Sequence, residues 1–129
     1  MVGIAGNASE PQVCYPAKYP SVLAVSTTDR NDQLASFSNH GAEVEVAAPG
    51  EQITSLFPGG IAGTSSGTSF SAPHVSGTLA LILSANPGVA SNNAIELLKQ
   101  TSVDLGDCGP DSRFGAGLIN AGQAVANTS

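Results

Sequence analysis

The apolar residues in the first half of the chain fall into short runs that predict buried strands. Residues 2–5, 21–27 and 44–47 are mostly apolar and lie near Gly, Pro, Asn or Asp, as is typical of core strands. Residues 53–57 and the segment around Ile61 flank Pro58-Gly59-Gly60 and predict a hairpin. A buried parallel strand needs neighbouring strands on both sides. Because the first apolar run begins at the second residue of the chain, we expect that preceding sequence is missing.

The second half of the chain predicts helices. The segment from about Thr68 to Ala85 is apolar nearly all round its axis, so we expect a central, closely packed helix that ends at Asn86-Pro87-Gly88. Ser91 is predicted to cap a second, amphipathic helix, whose buried stripe is Ala94, Ile95, Leu97 and Leu98. A Gly-rich loop over 106–117 precedes a last short helix over 119–126. Strands followed by helices in this order predict an α/β sandwich with a largely parallel sheet.

Composition narrows the class of protein. A chain of 129 residues that is 41% hydrophobic is long enough for one folded unit. Its net charge is −6 and its four Lys and Arg residues form no basic cluster, which argues against nucleic-acid binding. No apolar run is long enough to cross a membrane, and the N-terminus lacks the features of a signal peptide. Cys14 and Cys108 can form one disulfide bond or remain free thiols, and the sequence does not decide between these two states.

Two serines are candidate nucleophiles, and the first is Ser65. It lies in Gly63-Thr64-Ser65-Ser66-Gly67, which matches the G-x-S-x-G elbow of α/β-hydrolase esterases. That fold needs an acidic residue and then a histidine after the serine. His74 is the last histidine of the chain, and no histidine follows the later aspartates. An esterase that uses Ser65 therefore stays only an alternative hypothesis.

The second candidate, Ser69, lies at the start of the long predicted helix. The unpaired N–H groups there favour negative charge, although such a serine is also a common helix cap. His74 follows five residues later, which places the two side chains about 140° apart around a helix and excludes His74 as the base. We expect His74 to be packed on a buried helix and bonded to a backbone group, and His40 likewise. A catalytic triad on Ser69 would need its base from outside this sequence.

The segment Gly67-Thr68-Ser69-Phe70-Ser71-Ala72-Pro73-His74-Val75-Ser76-Gly77 resembles the serine signature G-T-S-[MF]-[AS]-x-P-H-V-[AS]-G of the subtilisin-like serine peptidases (subtilases, peptidase S8). Five other segments are similar to subtilase segments in the same order: residues 5–7, 15–22, 35–39, 47–50 and 115–121. The resemblance covers essentially the whole chain. It implies that residues 1–129 are the C-terminal half of a subtilisin-like domain, a three-layer sandwich with a largely parallel sheet.

The resemblance also implies site residues. Ser69 corresponds to the nucleophile that forms an acyl-enzyme, and Asn7 to the asparagine whose amide stabilises the oxyanion. It implies contacts with the peptide substrate from Ile4, Ala5, Gly6 and Thr68, with the loop of Cys14 and Tyr15 near the opposite wall of the pocket. The backbone carbonyls of Ala17, Tyr19 and Val22 match a weak cation site of some subtilases, but the residue types do not decide whether it exists here.

In subtilases the catalytic aspartate and histidine precede the Ala-Gly-Asn strand, and nothing in this chain matches either. We therefore expect a secreted serine endopeptidase whose serine-bearing part alone is nearly inactive, and whose partners are a polypeptide substrate and the missing N-terminal half. We expect no cofactor in the chemical reaction. A structural calcium ion is possible in the complete domain. The alternative is an inert subtilase fragment or an interaction module that uses the exposed edge of the sheet.

Overall fold

The computed structural model describes residues 1–128 and contains a parallel sheet of three strands. The strands β1 (Val2–Ile4), β2 (Leu23–Thr28) and β3 (Val44–Pro49) lie side by side in chain order. All residues of the central strand β2 are buried, the apolar Leu23–Val25 as well as the hydroxyl residues Ser26, Thr27 and Thr28. The predicted parallel α/β arrangement is confirmed.

The remaining elements agree closely with the apolar pattern. The strands β4 (Ile53–Phe57) and β5 (Ile61–Ser65) form the predicted antiparallel hairpin. Three helices follow it: α1 (Thr68–Ala85), α2 (Ser91–Gln100) and α3 (Ala121–Ala126).

Two predicted helix starts are wrong. Ser91 is the first helical residue of α2 and not its cap, because the capping position falls on Ala90, which makes no side-chain cap bond. Helix α3 starts two residues later than predicted, since Asn120 caps it by accepting a hydrogen bond from the Gln123 N–H.

The two faces of the sheet are covered differently. On one face Leu23 and Val25 of β2 pack in a core cluster with residues of all three helices. On the other face Val22 and Ala24 pack against residues of the loop between β1 and β2. Within residues 1–128 the helices thus cover one face of the sheet and an irregular loop covers the other.

Helix α1 is only half buried, which corrects the prediction that it is packed on all sides. Val75 and Ile82 are fully buried against the sheet and the other helices. On the remaining surface of the helix, Leu81 and Leu83 are 53% and 39% exposed. The apolar residues therefore surround the helix as predicted, but the residues that the structure describes cover one side alone. No helix within residues 1–128 is long and apolar enough to cross a membrane.

A glycine-rich segment extends the sheet beyond β3. The Ala116 N–H donates to the Glu45 carbonyl at 2.8 Å, and the Ala47 N–H donates to the Gly117 carbonyl at 2.9 Å. A Cβ atom on Gly115 would lie 2.2 Å from the backbone of Glu45, and one on Gly117 would lie 2.1 Å from the Val103 carbonyl oxygen. Glycine is required at both positions because the neighbouring backbones approach too closely for any side chain.

One ion pair ties α2 to the sheet. The Lys99 Nζ donates to Oε2 of Glu45 at 3.0 Å and lies 3.7 Å from Oε1 of Glu96. The hydrogen bond to Glu45 raises the pKa of Lys99 above its usual value of 10.5, partly offset by burial. A raised pKa means that the stabilisation is complete below about pH 10.5 and is lost as the pH rises through the higher value of the folded state.

We expect Lys99→Met to lower the free energy of unfolding by about 0.2–1 kcal/mol at pH 8, because both partners are partly exposed. The difference from the unmodified chain should shrink above about pH 10.5. Urea unfolding at pH 8 and pH 11 measures both effects. Lys18→Met is the control, since among residues 1–128 Lys18 forms no ion pair. A Lys99→Met difference that stays constant over this pH range contradicts the prediction.

Candidate active site

Buried hydroxyl groups fix the first turn of α1 at the C-terminal edge of the sheet. Ser71 is fully buried, and its Oγ donates to the Ala48 carbonyl of β3 at 2.9 Å. Since its one hydroxyl hydrogen is then used, the Ser71 Oγ accepts from Oγ1 of Thr27 in β2 at 2.8 Å. The Gly67 N–H donates to the Gly50 carbonyl at 2.8 Å. The start of α1 is therefore held to both β2 and β3.

Ser69 is the second residue of α1 and is exposed. Its backbone N–H belongs to the first helical turn, where N–H groups have no acceptor within the helix. The positive end of the helix dipole favours negative charge at this place. Ser69 thus offers a hydroxyl and a backbone donor at an electropositive helix end.

Asn7 reaches this helix end from the loop that follows β1. Its Oδ1 accepts two hydrogen bonds from Thr68, from the backbone N–H at 2.9 Å and from Oγ1 at 2.8 Å. Thr68 is fully buried, whereas Asn7 is exposed. Because the oxygen of the amide takes both bonds, the Nδ2 group remains free to donate elsewhere.

Two hydrogen-bond donors lie close to Gly67. The position that a Cβ atom on Gly67 would occupy lies 3.7 Å from Nδ2 of Asn7 and 3.8 Å from the backbone nitrogen of Ser69. Any side chain at residue 67 would contact both of these nitrogen atoms. Two N–H donors close to a serine hydroxyl are groups that can stabilise a negatively charged oxygen.

The residues predicted to line a substrate pocket are in part buried. Ile4 ends β1 and is half-buried, whereas Ala5 and Gly6 are buried. The Ala5 N–H donates to the Val25 carbonyl at 2.9 Å, and its carbonyl accepts from the Cys14 N–H at 2.9 Å. The structure therefore places the loop of Cys14 directly beside β1. The tyrosine that follows Cys14 is 63% exposed.

The two histidines differ from the expectation. His74 bonds to a backbone group as predicted, with its Nδ1 2.6 Å from the Phe70 carbonyl oxygen. Its burial was predicted wrongly, since it lies on the exposed side of α1. The Nδ1 of His40 is buried but has no hydrogen-bond partner within residues 1–128, which also contradicts the prediction. Within the same residues neither histidine forms a hydrogen bond with Ser69.

Ser65 lies in a different setting from that of a nucleophile elbow. It ends β5 and pairs with Ile53 across the antiparallel hairpin. A nucleophile elbow places its serine on a strained turn between a strand and a helix. Within residues 1–128 the non-glycine residues with positive φ are Ser9, Asp32 and Gln52, so Ser65 has no such strain. The backbone at Ser65 does not favour the esterase alternative.

Cys14 and Cys108 are both exposed and are not bonded to each other. Within residues 1–128 no three His, Cys, Asp or Glu side chains are arranged to hold a metal ion.

Some residues that shape this site were not singled out from the sequence. Thr27 is a polar residue at the end of an apolar run, and that contrast is its only signal in the sequence. Ser71 lies within the serine signature, but its role as an anchor of α1 was not predicted. Asn39 is fully buried and bonds to the loop of Asn7. It lies in a segment similar to subtilases, but no pattern links it to residues 8–10.

Comparison with known proteins finds one family that matches most of this chain. The model of the subtilase family, peptidase S8, matches residues 1–117. The chain is 42% identical to the thermostable alkaline protease of Halalkalibacterium halodurans over 125 residues, which are 97% of this chain and 34% of that protein. It is 42% identical to subtilisin DY of Bacillus licheniformis, over 97% of this chain and 46% of the relative. It is 37% identical to subtilisin Savinase of Lederbergia lenta, over 97% and 45% of the two chains. The chain thus spans less than half the length of these relatives.

Proposed function

This chain belongs to the subtilase family, and from that premise we propose that it is the serine-bearing part of a serine endopeptidase domain. The observation that carries the proposal is that Nδ2 of Asn7 and the backbone nitrogen of Ser69 lie 3.7 and 3.8 Å from the position that a Cβ atom on Gly67 would occupy. In a complete enzyme the carbonyl oxygen of the scissile peptide bond would lie between these two donors. Both donors would then bind that oxygen as it becomes negatively charged.

In the proposed reaction the Oγ of Ser69 attacks the carbonyl carbon of a peptide bond. The hydroxyl proton passes to a histidine base, which then gives it to the leaving amine, and an acyl-enzyme remains on Ser69. Water hydrolyses this ester and restores the serine. Thr68 assists by holding the oxygen of the Asn7 amide, so that its NH₂ group faces the reacting carbonyl.

We propose that the histidine and the aspartate come from the remaining part of a subtilase domain. The exposed apolar side of α1, with Leu81 and Leu83, offers a surface against which that part can pack, because burial of such side chains is favourable. The substrate would be a polypeptide, and Ile4, Ala5 and Gly6 would line one side of its binding cleft. We extend the extracellular location suggested by the family to this protein. No cofactor takes part in these steps, and a structural calcium ion in the complete domain remains a prediction.

Activity with and without the remaining part of the domain tests the proposal. We expect the chain alone to release almost no product from a chromogenic peptide, because the proposed histidine base belongs to the remaining part of the domain. The chain joined to the upstream part of a subtilase domain should turn the peptide over at a rate of about 1–10³ s⁻¹. Strong turnover by the chain alone contradicts the missing base, and an inactive but folded joined enzyme contradicts the proposed function.

A further inference from the structure

One buried amide, that of Asn39, holds the loop that carries Asn7. Asn39 is fully buried. Its Oδ1 accepts hydrogen bonds from the backbone N–H groups of Ala8 at 2.8 Å and Glu10 at 3.1 Å, and its Nδ2 donates to Sγ of Cys14 at 3.4 Å. The orientation of the amide is unambiguous, because only its oxygen can accept from backbone N–H groups. The side chain of Asn39 thus fixes the loop just after Asn7.

Asn39 also fixes the residue just before Asn7. Its backbone N–H donates to the Gly6 carbonyl at 2.9 Å. A Cβ atom on Gly6 would lie 2.5 Å from Nδ2 of Asn39, and Gly6 has a φ of 120°. The absence of a side chain at Gly6 therefore permits this close contact. Asn39 is thus bonded to residues on both sides of Asn7, and none of these bonds involves Asn7 itself.

Other bonds also hold the loop that follows Asn7. Ala8, Ser9 and Glu10 are exposed and belong to no strand or helix. The Ser9 N–H donates to the Phe37 carbonyl at 3.0 Å, the Ser9 hydroxyl donates to the Ser36 carbonyl, and the Glu10 carbonyl accepts from the His40 N–H at 3.1 Å. These bonds do not involve the Asn39 side chain and would remain without it. Loss of the Asn39 amide should thus loosen the loop next to Asn7 while the rest of the fold persists.

We propose that Asn39 is a positioning residue for the amide of Asn7. This inference rests on the proposed function, in which Nδ2 of Asn7 binds the developing oxyanion. Thr68 holds the oxygen of the Asn7 amide, and Asn39 holds the backbone from which that amide extends. Both ends must be fixed, since small displacements of a catalytic group strongly reduce its effect.

The effect on catalysis is measured in the complete catalytic domain that contains this chain. We expect Asn39→Ala to lower kcat by about 10- to 100-fold and to change KM by less than about threefold, because the loss falls on the transition state. Asn39→Asp retains an acceptor for the two N–H groups and should recover most of kcat. Ser26→Ala is the control, because Ser26 is equally buried but bonds to the Arg113 carbonyl away from the loop. A normal kcat in a folded Asn39→Ala enzyme overturns the proposal.

A double-mutant cycle separates positioning from a general structural role. If Asn39 acts through Asn7, then Asn39→Ala should change kcat by less than about threefold in an Asn7→Ala background. A merely structural residue would lower kcat by the same factor in both backgrounds, and that result overturns the proposal. Activity that survives Ser69→Ala would instead contradict the proposed function, and with it the catalytic role of Asn39.

Amide hydrogen exchange tests the contact without relying on catalysis. In Asn39→Ala the N–H groups of Ala8 and Glu10 should exchange at least about tenfold faster, because they lose their acceptor. In Asn39→Asp their exchange should stay near that of the unmodified protein. If Asn39→Ala does not fold, Asn39→Ser provides the same comparison, because its shorter hydroxyl cannot reach both N–H groups. Unchanged exchange in a folded Ala or Ser variant overturns the proposal.

Discussion

Ser69→Ala is expected to lower kcat of the complete domain by about 10⁶-fold, which is the loss known for the nucleophile of a subtilisin, a relative of this chain. The substitution removes the oxygen that forms the acyl bond and leaves both proposed oxyanion donors in place. Because Ser69 is exposed, its loss should neither open a cavity nor change the free energy of unfolding by more than about 0.5 kcal/mol. Steady-state kinetics and urea unfolding of the same preparations measure the two effects.

Ser65→Ala provides the matched control for Ser69→Ala. It is the same chemical change four residues earlier, at the end of β5. It should leave kcat within about twofold of the unmodified enzyme, because the proposed reaction uses no group of Ser65 and only an interaction made in the transition state changes kcat. Labelling with a fluorophosphonate gives a second readout, because the reagent should modify Ser69 and not Ser65. A label on Ser65, or loss of activity in Ser65→Ala alone, would support the esterase alternative and contradict our assignment.

Asn7→Ala is expected to lower kcat by about 10²- to 10³-fold with little change in KM. This range is that for the oxyanion asparagine of a subtilisin, and it corresponds to about 2.7–4 kcal/mol of transition-state stabilisation. The physical reason is that Nδ2 of Asn7 donates to an oxygen that is charged only in the transition state. Separate measurement of kcat and KM on a short peptide substrate checks both parts of the prediction.

Asn7→Asp distinguishes the donor from its anchor. The aspartate keeps an oxygen for the two bonds from Thr68, but it replaces the NH₂ donor with an acceptor and adds negative charge beside the oxyanion. We therefore expect a loss at least as large as that of Asn7→Ala. Thr68→Val, which removes the hydroxyl bond and keeps the backbone bond, should have a smaller effect. An Asn7→Asp enzyme with normal kcat would contradict the role proposed for this amide.

The pattern of apolar residues was sufficient for most of the secondary structure. Helix α1 has the bounds that its apolar run and the following Asn86-Pro87-Gly88 predict. The hairpin of β4 and β5 forms around Pro58-Gly59-Gly60, because these residues favour a tight turn. Both signals are local: each depends on residues adjacent in the chain.

The errors about burial arose where a neighbour distant in sequence decides the outcome, whereas the two wrong helix starts are local shifts of one or two residues. The apolar surface of α1 indicated burial on all sides, but burial depends on which other segments pack against the helix, and residues 1–128 cover one side. His74 was predicted to be buried for the same reason. The residues next to a histidine on a helix do not indicate which side of the helix the other strands and helices cover.

The sequence by itself determined the chemical groups of the candidate site. It places Ser69 at the start of a helix, Asn7 after a strand and glycine at position 67, and its similarity to subtilases identifies the family. Only the tertiary structure decided how these groups face each other. The oxygen of Asn7 is bonded to a residue 61 positions away, and Asn39 is bonded to a loop residue 31 positions away. Such contacts depend on how the sheet brings distant loops to one edge, which no local pattern specifies.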